Sequence, residues 1–335
     1  MTTSARISYT IMAVLLVLIG WLHLATLVLT GLFGYFALNF LSFGKSKALG
    51  VALYIIGVVG IGYGLVFFSR QAYKTLPEIA DATIPAVVNF AEKQNIELPF
   101  SDYASAKTLA IQEVKDSVTN IGRYAREATV QVAMLLIGLV VAVSLFLNAR
   151  WGTESDPDVA KGSLYSTVVR ELALRFETFY ASFSRVIGAQ IIISIFNTGL
   201  TAVFLLWNGF PFATVIIVIT FLCGLLPIIG NILSNTLIVG VAFTIPETGP
   251  RMALIALIFL VVIHKLEYFL NSKIIGDRIK NPMWLTLIGL ILGEKLMGIP
   301  GMIFAPVVLH YIKVEASRNK VAEVDAPSPA TVTKP

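Results

Sequence analysis

Charge is what this chain has least of. Asp, Glu, Lys and Arg make up 13% of its 335 residues, about half the ~25% of an ordinary soluble domain. Between Phe210 and Phe243 there is none at all. A soluble domain is excluded on that ground. The chain has a single cysteine, Cys223, so an intramolecular disulfide is excluded too. The three histidines, His23, His264 and His310, lack ligand spacing, which leaves no expected metal site. No phosphate-cradling glycine loop and no nucleophile–base arrangement appears, so neither an ATP-driven pump nor an enzyme is expected, nor any cofactor. The basic residues form no patch interleaved with aromatics, and nucleic acid is not an expected partner. Strict apolar–polar alternation is missing as well, which argues against a β-barrel.

What the chain has is long apolar runs. Hydrophobic residues make up 56% of it, and its mean hydropathy is +0.82. Runs lie at 9–43, 48–69, 129–149, 186–207, 210–243, 252–266 and 283–312, several reaching the roughly 20 residues that cross a ~30 Å hydrocarbon core. The fold class expected is all-α and polytopic, with about eight membrane segments. The first run is too long for a signal-peptide core and lacks a small-residue cleavage site, so it reads as an uncleaved span.

Three runs, 9–43, 210–243 and 283–312, are too long for one pass and too short for two full ones. Counting Lys and Arg on short loops resolves this. Arg6, Lys45 and Lys47 fall on one side if 9–43 is a hairpin bending near Gly31 and Gly34. Lys265, Lys273, Arg278 and Lys280 fall on that same, cytoplasmic, side if 210–243 turns at "LPIIGN". A second hairpin in 283–312, turning at "GIPG" (298–301), places Lys313, Arg318 and Lys320 there too. Both termini are then cytoplasmic. Pro227 cannot donate an amide hydrogen and Gly230 permits tight backbone, so together they reverse the chain inside the membrane. Backbone freed at that depth needs protein or a water-filled cavity around it, and Asn231, Ser234 and Asn235 stand beside the break. The order span-plus-hairpin, 186–243, then span-plus-hairpin, 244–312, with the two hairpins entered from opposite sides, is that of an inverted repeat. Secondary transporters place their sites where such breaks meet.

The remaining divisions are an N-terminal membrane unit at 1–69, an external amphipathic helical insert at 70–128 and a span at 129–149. A cytoplasmic amphipathic helix at 150–185 and a polar tail at 313–335 complete them. The insert reads first as a lid or an oligomer contact, and a homo-oligomer is the expected assembly.

Ionisable groups inside membrane segments cost at least about 2.5–3.5 kcal/mol at the helix centre and so mark function. Glu267, Glu294 and the adjacent Lys295 qualify. Their plainer roles are an interfacial position for Glu267 and an internal ion pair for the other two. Asn197 and Thr198, in the middle of run 186–207, are candidate substrate contacts, although such side chains often just bond across helices. The candidate site is therefore Asn197, Thr198, Pro227, Gly230, Asn231, Asn235, Glu267, Glu294, Lys295, Gly298, Pro300 and Gly301, facing a small-molecule or ion substrate.

The stretch 266–308 resembles the autoinducer-2 exporter family, also called PerM-like permeases. Glu267, Ile275, Gly276, Arg278, Pro282, Gly298, Gly301 and Pro306 fall on its motif, and Pro227 and Gly230 match its Pro-x-x-Gly. Ser272 stands before Lys273 where that family usually has a proline. The resemblance spans nearly the whole chain. It implies an oligomeric permease of a bacterial inner membrane that exports a small polar solute such as autoinducer-2, with sodium or lithium/proton antiport as the alternative. A non-transporting membrane scaffold is the reading from outside transport.

Overall fold

A computed structural model describes residues 2–42, 46–96, 121–148, 163–226, 229–275 and 282–318. Its elements are α1 (Thr3–Trp21), α2 (Ala25–Leu41), α3 (Lys47–Lys93), α4 (Ile121–Asn148), α5 (Leu164–Trp207), α6 (Ala213–Gly224), α7 (Ile229–Ala242), α8 (Gly249–Ile275) and α9 (Met283–Arg318). No strand occurs among the described residues. Six helices are long and apolar enough to cross a membrane, while α2, α6 and α7 are apolar but shorter.

Local chemistry explains where these helices begin and end. Thr2, Ser46 and Ser163 cap α1, α3 and α5 through side-chain oxygens that accept from Ala5, Leu49 and Ser166 amides. The same three helices close with a left-handed residue after the last turn: His23, Asn95 and Gly209. In each case the next amide reaches back five residues, as Leu24 does to the Ile19 carbonyl at 2.9 Å.

His23 corrects one expectation. The first long run bends at 22–24 and not near Gly31 and Gly34, which lie buried inside α2. Those glycines serve packing. A Cβ on Gly34 would meet the Tyr54 hydroxyl and, at 2.6 Å, the Ala142 methyl. On α4, a Cβ at Gly138 would lie 2.7 Å from Thr30 Cβ and 2.8 Å from the Leu27 carbonyl. We expect Gly138→Val to cost about 1–3 kcal/mol by overpacking, read as a lower unfolding temperature in detergent.

The soluble character that begins at Arg70 marks a change of surroundings and not of backbone. Helix α3 runs unbroken past Arg70 as far as Lys93, 47 residues from its start at Lys47, about 70 Å at 1.5 Å per residue. Residues 59–67, more than two turns, are exposed on every side, and an apolar helix exposed all round belongs in hydrocarbon. The far part of α3 then comes alongside the first hairpin, where Ile79 joins Ile216 and Ile238 in a buried cluster and Phe90 meets Phe243 at 5.0 Å.

Helix α5 is likewise continuous from Leu164 to Trp207, joining the amphipathic segment to the span at 186. It is the spine. Its earlier half packs through Phe179, Phe183 and Ile187 on Met12 of α1 and on Phe304, Val307 and Tyr311 of α9. Its later half packs through Leu205 on Ile216, Ile238, Ala253 and Ala256.

Two hairpins flank it. In the first, α6 and α7 have 12 and 14 residues, about 18 and 21 Å of helix. Each is shorter than a ~30 Å core requires, the length of a re-entrant arm. In the second, α9 doubles back at Gly298, whose φ of 65° and ψ of −148° is open only to glycine. Gly293 and Gly301 touch across this bend so closely that a Cβ on either would overlap the other's carbonyl, and Gly289 faces Ala305 and Leu309.

The tips come in from opposite ends of the spine. Gly224, at the first, lies beside Gln190, and Met297, at the second, packs in the cluster holding Ile187.

Candidate functional site

A helix that stops inside a membrane leaves its last carbonyls without partners. At the end of α6 the spine supplies them. Gln190 Nε2 donates to the Gly224 carbonyl at 2.6 Å, and Ser194 Oγ donates to the Phe221 carbonyl at 2.9 Å. The two chains meet with little room, since a Cβ on Gly224 would lie 2.5 Å from Ser194 Oγ. On the return arm, buried Gly230 sits against the Cys223 carbonyl so tightly that any side chain there would collide with backbone. That contact is why position 230 requires glycine. Pro227 lies outside the described residues.

Gln190 and Ser194 belong to a polar stripe on α5 that continues through Asn197 and Thr201, at spacings of four, three and four. This is one helical face. Asn197 carries it to the site itself. Its Nδ2 donates to Glu267 Oε2 on α8 at 3.3 Å, and Asn231 Nδ2, in the first turn of α7, donates to the same oxygen at 2.7 Å. His264, one turn earlier on α8, places Nδ1 3.8 Å from that oxygen. Three elements therefore converge on one carboxylate: the spine, the arm leaving the first tip, and α8. The Glu267 side chain is 13% exposed.

A carboxylate in apolar surroundings is tolerated when donors compensate its charge, and two amide groups do so here. The cluster also has spare capacity. Asn197 Oδ1, on the side chain that reaches Glu267, is buried without a hydrogen-bond partner among the described residues, as is Thr198 Oγ1 on the next residue of α5. Unsatisfied buried oxygens beside a carboxylate can accept from a hydroxylated solute, a water or a cation.

Asn231→Ala removes the shorter of the two charge-assisted bonds, each worth about 1.5–3 kcal/mol. We expect transport to fall by roughly one to two orders of magnitude, measured as initial flux in reconstituted vesicles. Ser194→Ala should instead leave the α6 carbonyl unpaired and lower stability by about 1–3 kcal/mol, measured by thermal unfolding.

The other candidates lie elsewhere. Asn235 is half-buried one turn past Asn231. Glu294 and Lys295 pair at 3.8 Å on the outer face of the second hairpin, with side chains 46% and 77% exposed. Gly298, Pro300 and Gly301 shape the bend of that hairpin and carry no side-chain chemistry.

A buried charged group elsewhere went unnoticed in the sequence. Glu315 on α9, 5% exposed, accepts from the Tyr9 hydroxyl at 2.8 Å. It also faces Arg175 at 3.8 Å and Arg318 at 3.6 Å. The Arg175 guanidinium lies over the Tyr9 ring, 4.0 Å from its centroid, and pairs with Glu171 at 3.0 Å. Arg318 donates to Thr178 at 2.8 Å. This network ties α1, α5 and α9 together at the end of the bundle that holds the N-terminus.

Paired hairpins around a long spine, with a part-buried carboxylate beside one tip, define a polytopic helical membrane protein built as transporters are. The chain belongs to the AI-2E family transporter family, whose model matches residues 7–317. It is also 29% identical over 163 residues to "Putative transport protein YdbI" of Bacillus subtilis (strain 168), a match covering 48% of this chain and 46% of that protein. The match thus spans about half the length of that curated relative. No solved structure matches the chain.

Proposed function

We propose that the protein is a secondary transporter whose solute site is the Asn197–Asn231–Glu267 cluster under the tip of the first hairpin. The observation that carries this reading is the convergence of a spine residue and a hairpin-tip residue on one part-buried carboxylate of α8. Tilting the hairpin by a few ångströms separates Asn231 from Glu267 and opens the cluster to one side, which is the movement alternating access requires. A small polar solute with hydroxyl groups suits the donors and acceptors present, and the autoinducer-2 type of signal belongs to that class. Sodium or lithium/proton antiport is the second reading, supported by His264 standing 3.8 Å from the Glu267 carboxylate. The protein would act as a homo-oligomer in a bacterial inner membrane with both termini in the cytoplasm.

Purified protein in vesicles, loaded with a pH dye or with the polar solute, separates the two readings. Solute efflux without cation-driven proton movement supports export. Proton movement on sodium or lithium pulses supports antiport. Neither, in protein shown to be folded, removes both and favours a membrane scaffold.

A further inference from the structure

Away from the Glu267 cluster, α1 and the second hairpin touch through Tyr9 and Glu315 and around Met12, and beside those contacts they enclose an open groove of about 1080 Å³. Its walls are apolar through Leu16, Val17, Leu292, Leu296 and Val308, and its two ends differ. Arg6 and Thr10, both exposed, lie at one end with Tyr9. Trp21, 75% exposed, lies at the other. From Arg6 to Trp21 is fifteen residues of α1, or about 22 Å, and tryptophan is the residue that settles at a membrane–water interface. The groove thus runs most of the way through the hydrocarbon and ends at a cation.

The polar end is electropositive. Arg6 and Glu315 line it, Arg175 and Arg318 both face the Glu315 carboxylate from behind, and Glu171 pairs with Arg175, so three guanidinium groups stand to two carboxylates. Basic pockets between membrane helices recognise anionic lipid headgroups. Gly20 keeps the far end deep: although buried, it has no heavy atom within 4 Å of where a Cβ would stand.

We propose that this groove is a binding site for one anionic phospholipid, its acyl chains lying between α1 and the second hairpin and its phosphate on Arg6. The bound lipid completes the packing of the second hairpin against α1, which the protein alone leaves open. The site shares no residue with the Glu267 cluster and does not depend on its function.

The test is native mass spectrometry of the full-length protein extracted from vesicles of equimolar phosphatidylglycerol and phosphatidylcholine. Phosphatidylglycerol is expected to be retained through delipidation, about fivefold over phosphatidylcholine, as one surface cation near a membrane provides. Arg6→Gln should erase that preference. Gly20→Phe and, independently, Ala13→Trp should fill the groove and remove the retained lipid. Equal retention of both lipids, or none, overturns the proposal. So does retention unaffected by both filling variants. A change of oligomeric mass in those variants, with lipid retention unaltered, would assign the groove to a second copy of the chain instead.

Discussion

Glu267→Gln is expected to reduce transport at least about 100-fold while leaving the protein folded. Glutamine keeps the size of the side chain and can still accept from one amide. It removes the charge on which Asn197 and Asn231 converge, and hydrogen bonds to a charged group are worth about 1.5–3 kcal/mol each. A factor of ten corresponds to about 1.4 kcal/mol, so losing two such bonds accounts for the expected effect. Glu294→Gln is the control. Its carboxylate is 46% exposed and faces a lysine that is 77% exposed, and exposed pairs contribute about 0–1 kcal/mol. Its flux should remain within about fivefold of wild type. Equal loss in both variants would place the essential carboxylate on the second hairpin and sink the assignment to Glu267.

The second large effect concerns stability. Glu315→Leu leaves Arg175, 8% exposed, with Glu171 alone on its own helix and no partner across helices, and takes the carboxylate acceptor from the Tyr9 hydroxyl. Breaking a buried ion pair from one side costs about 3–5 kcal/mol, while replacing both partners with apolar residues is often neutral. The single variant should therefore unfold at a clearly lower temperature in detergent, and Arg175→Met combined with Glu315→Leu should recover at least half of the loss. No drop in the single variant would mean that the network does not hold α1, α5 and α9 together.

The membrane class was legible because it rests on charge content and run length, both local properties. The first hairpin was legible because Gly230 and Asn231 interrupt a run free of charge, and the second because "GIPG" interrupts an apolar run too long for one pass. Asn197, Asn231 and Glu267 were each visible as polar groups in apolar segments. Their convergence was not, since 34 and 36 residues separate them along the chain and nothing local records which faces meet.

The Gln190–Ser194–Asn197–Thr201 stripe carried a usable signal, a polar face within run 186–207. It makes sense only once α6 is known to end beside it. Gly31 and Gly34 misled because the same absence of a side chain serves both bends and close helix contacts. The bend instead fell to His23, a residue with no glycine-like signature. The Glu315 network was hidden for another reason. Tyr9 and Glu315 are 306 residues apart, and a charge near the end of a span reads as interfacial from sequence.

The claim on which the account depends is that the space around Asn197, Asn231 and Glu267 is reached from both sides of the membrane in turn. Thr198→Cys in a Cys223→Ser background places a lone thiol next to Asn197 on α5. The measurement is its labelling by a membrane-impermeant reagent added to either side of sealed vesicles, with and without transported solute. Labelling from each side in turn, slowed by the solute, is the predicted result. A thiol unreactive from both sides in folded protein would describe a dry, packed bundle and would contradict a transport site at this cluster.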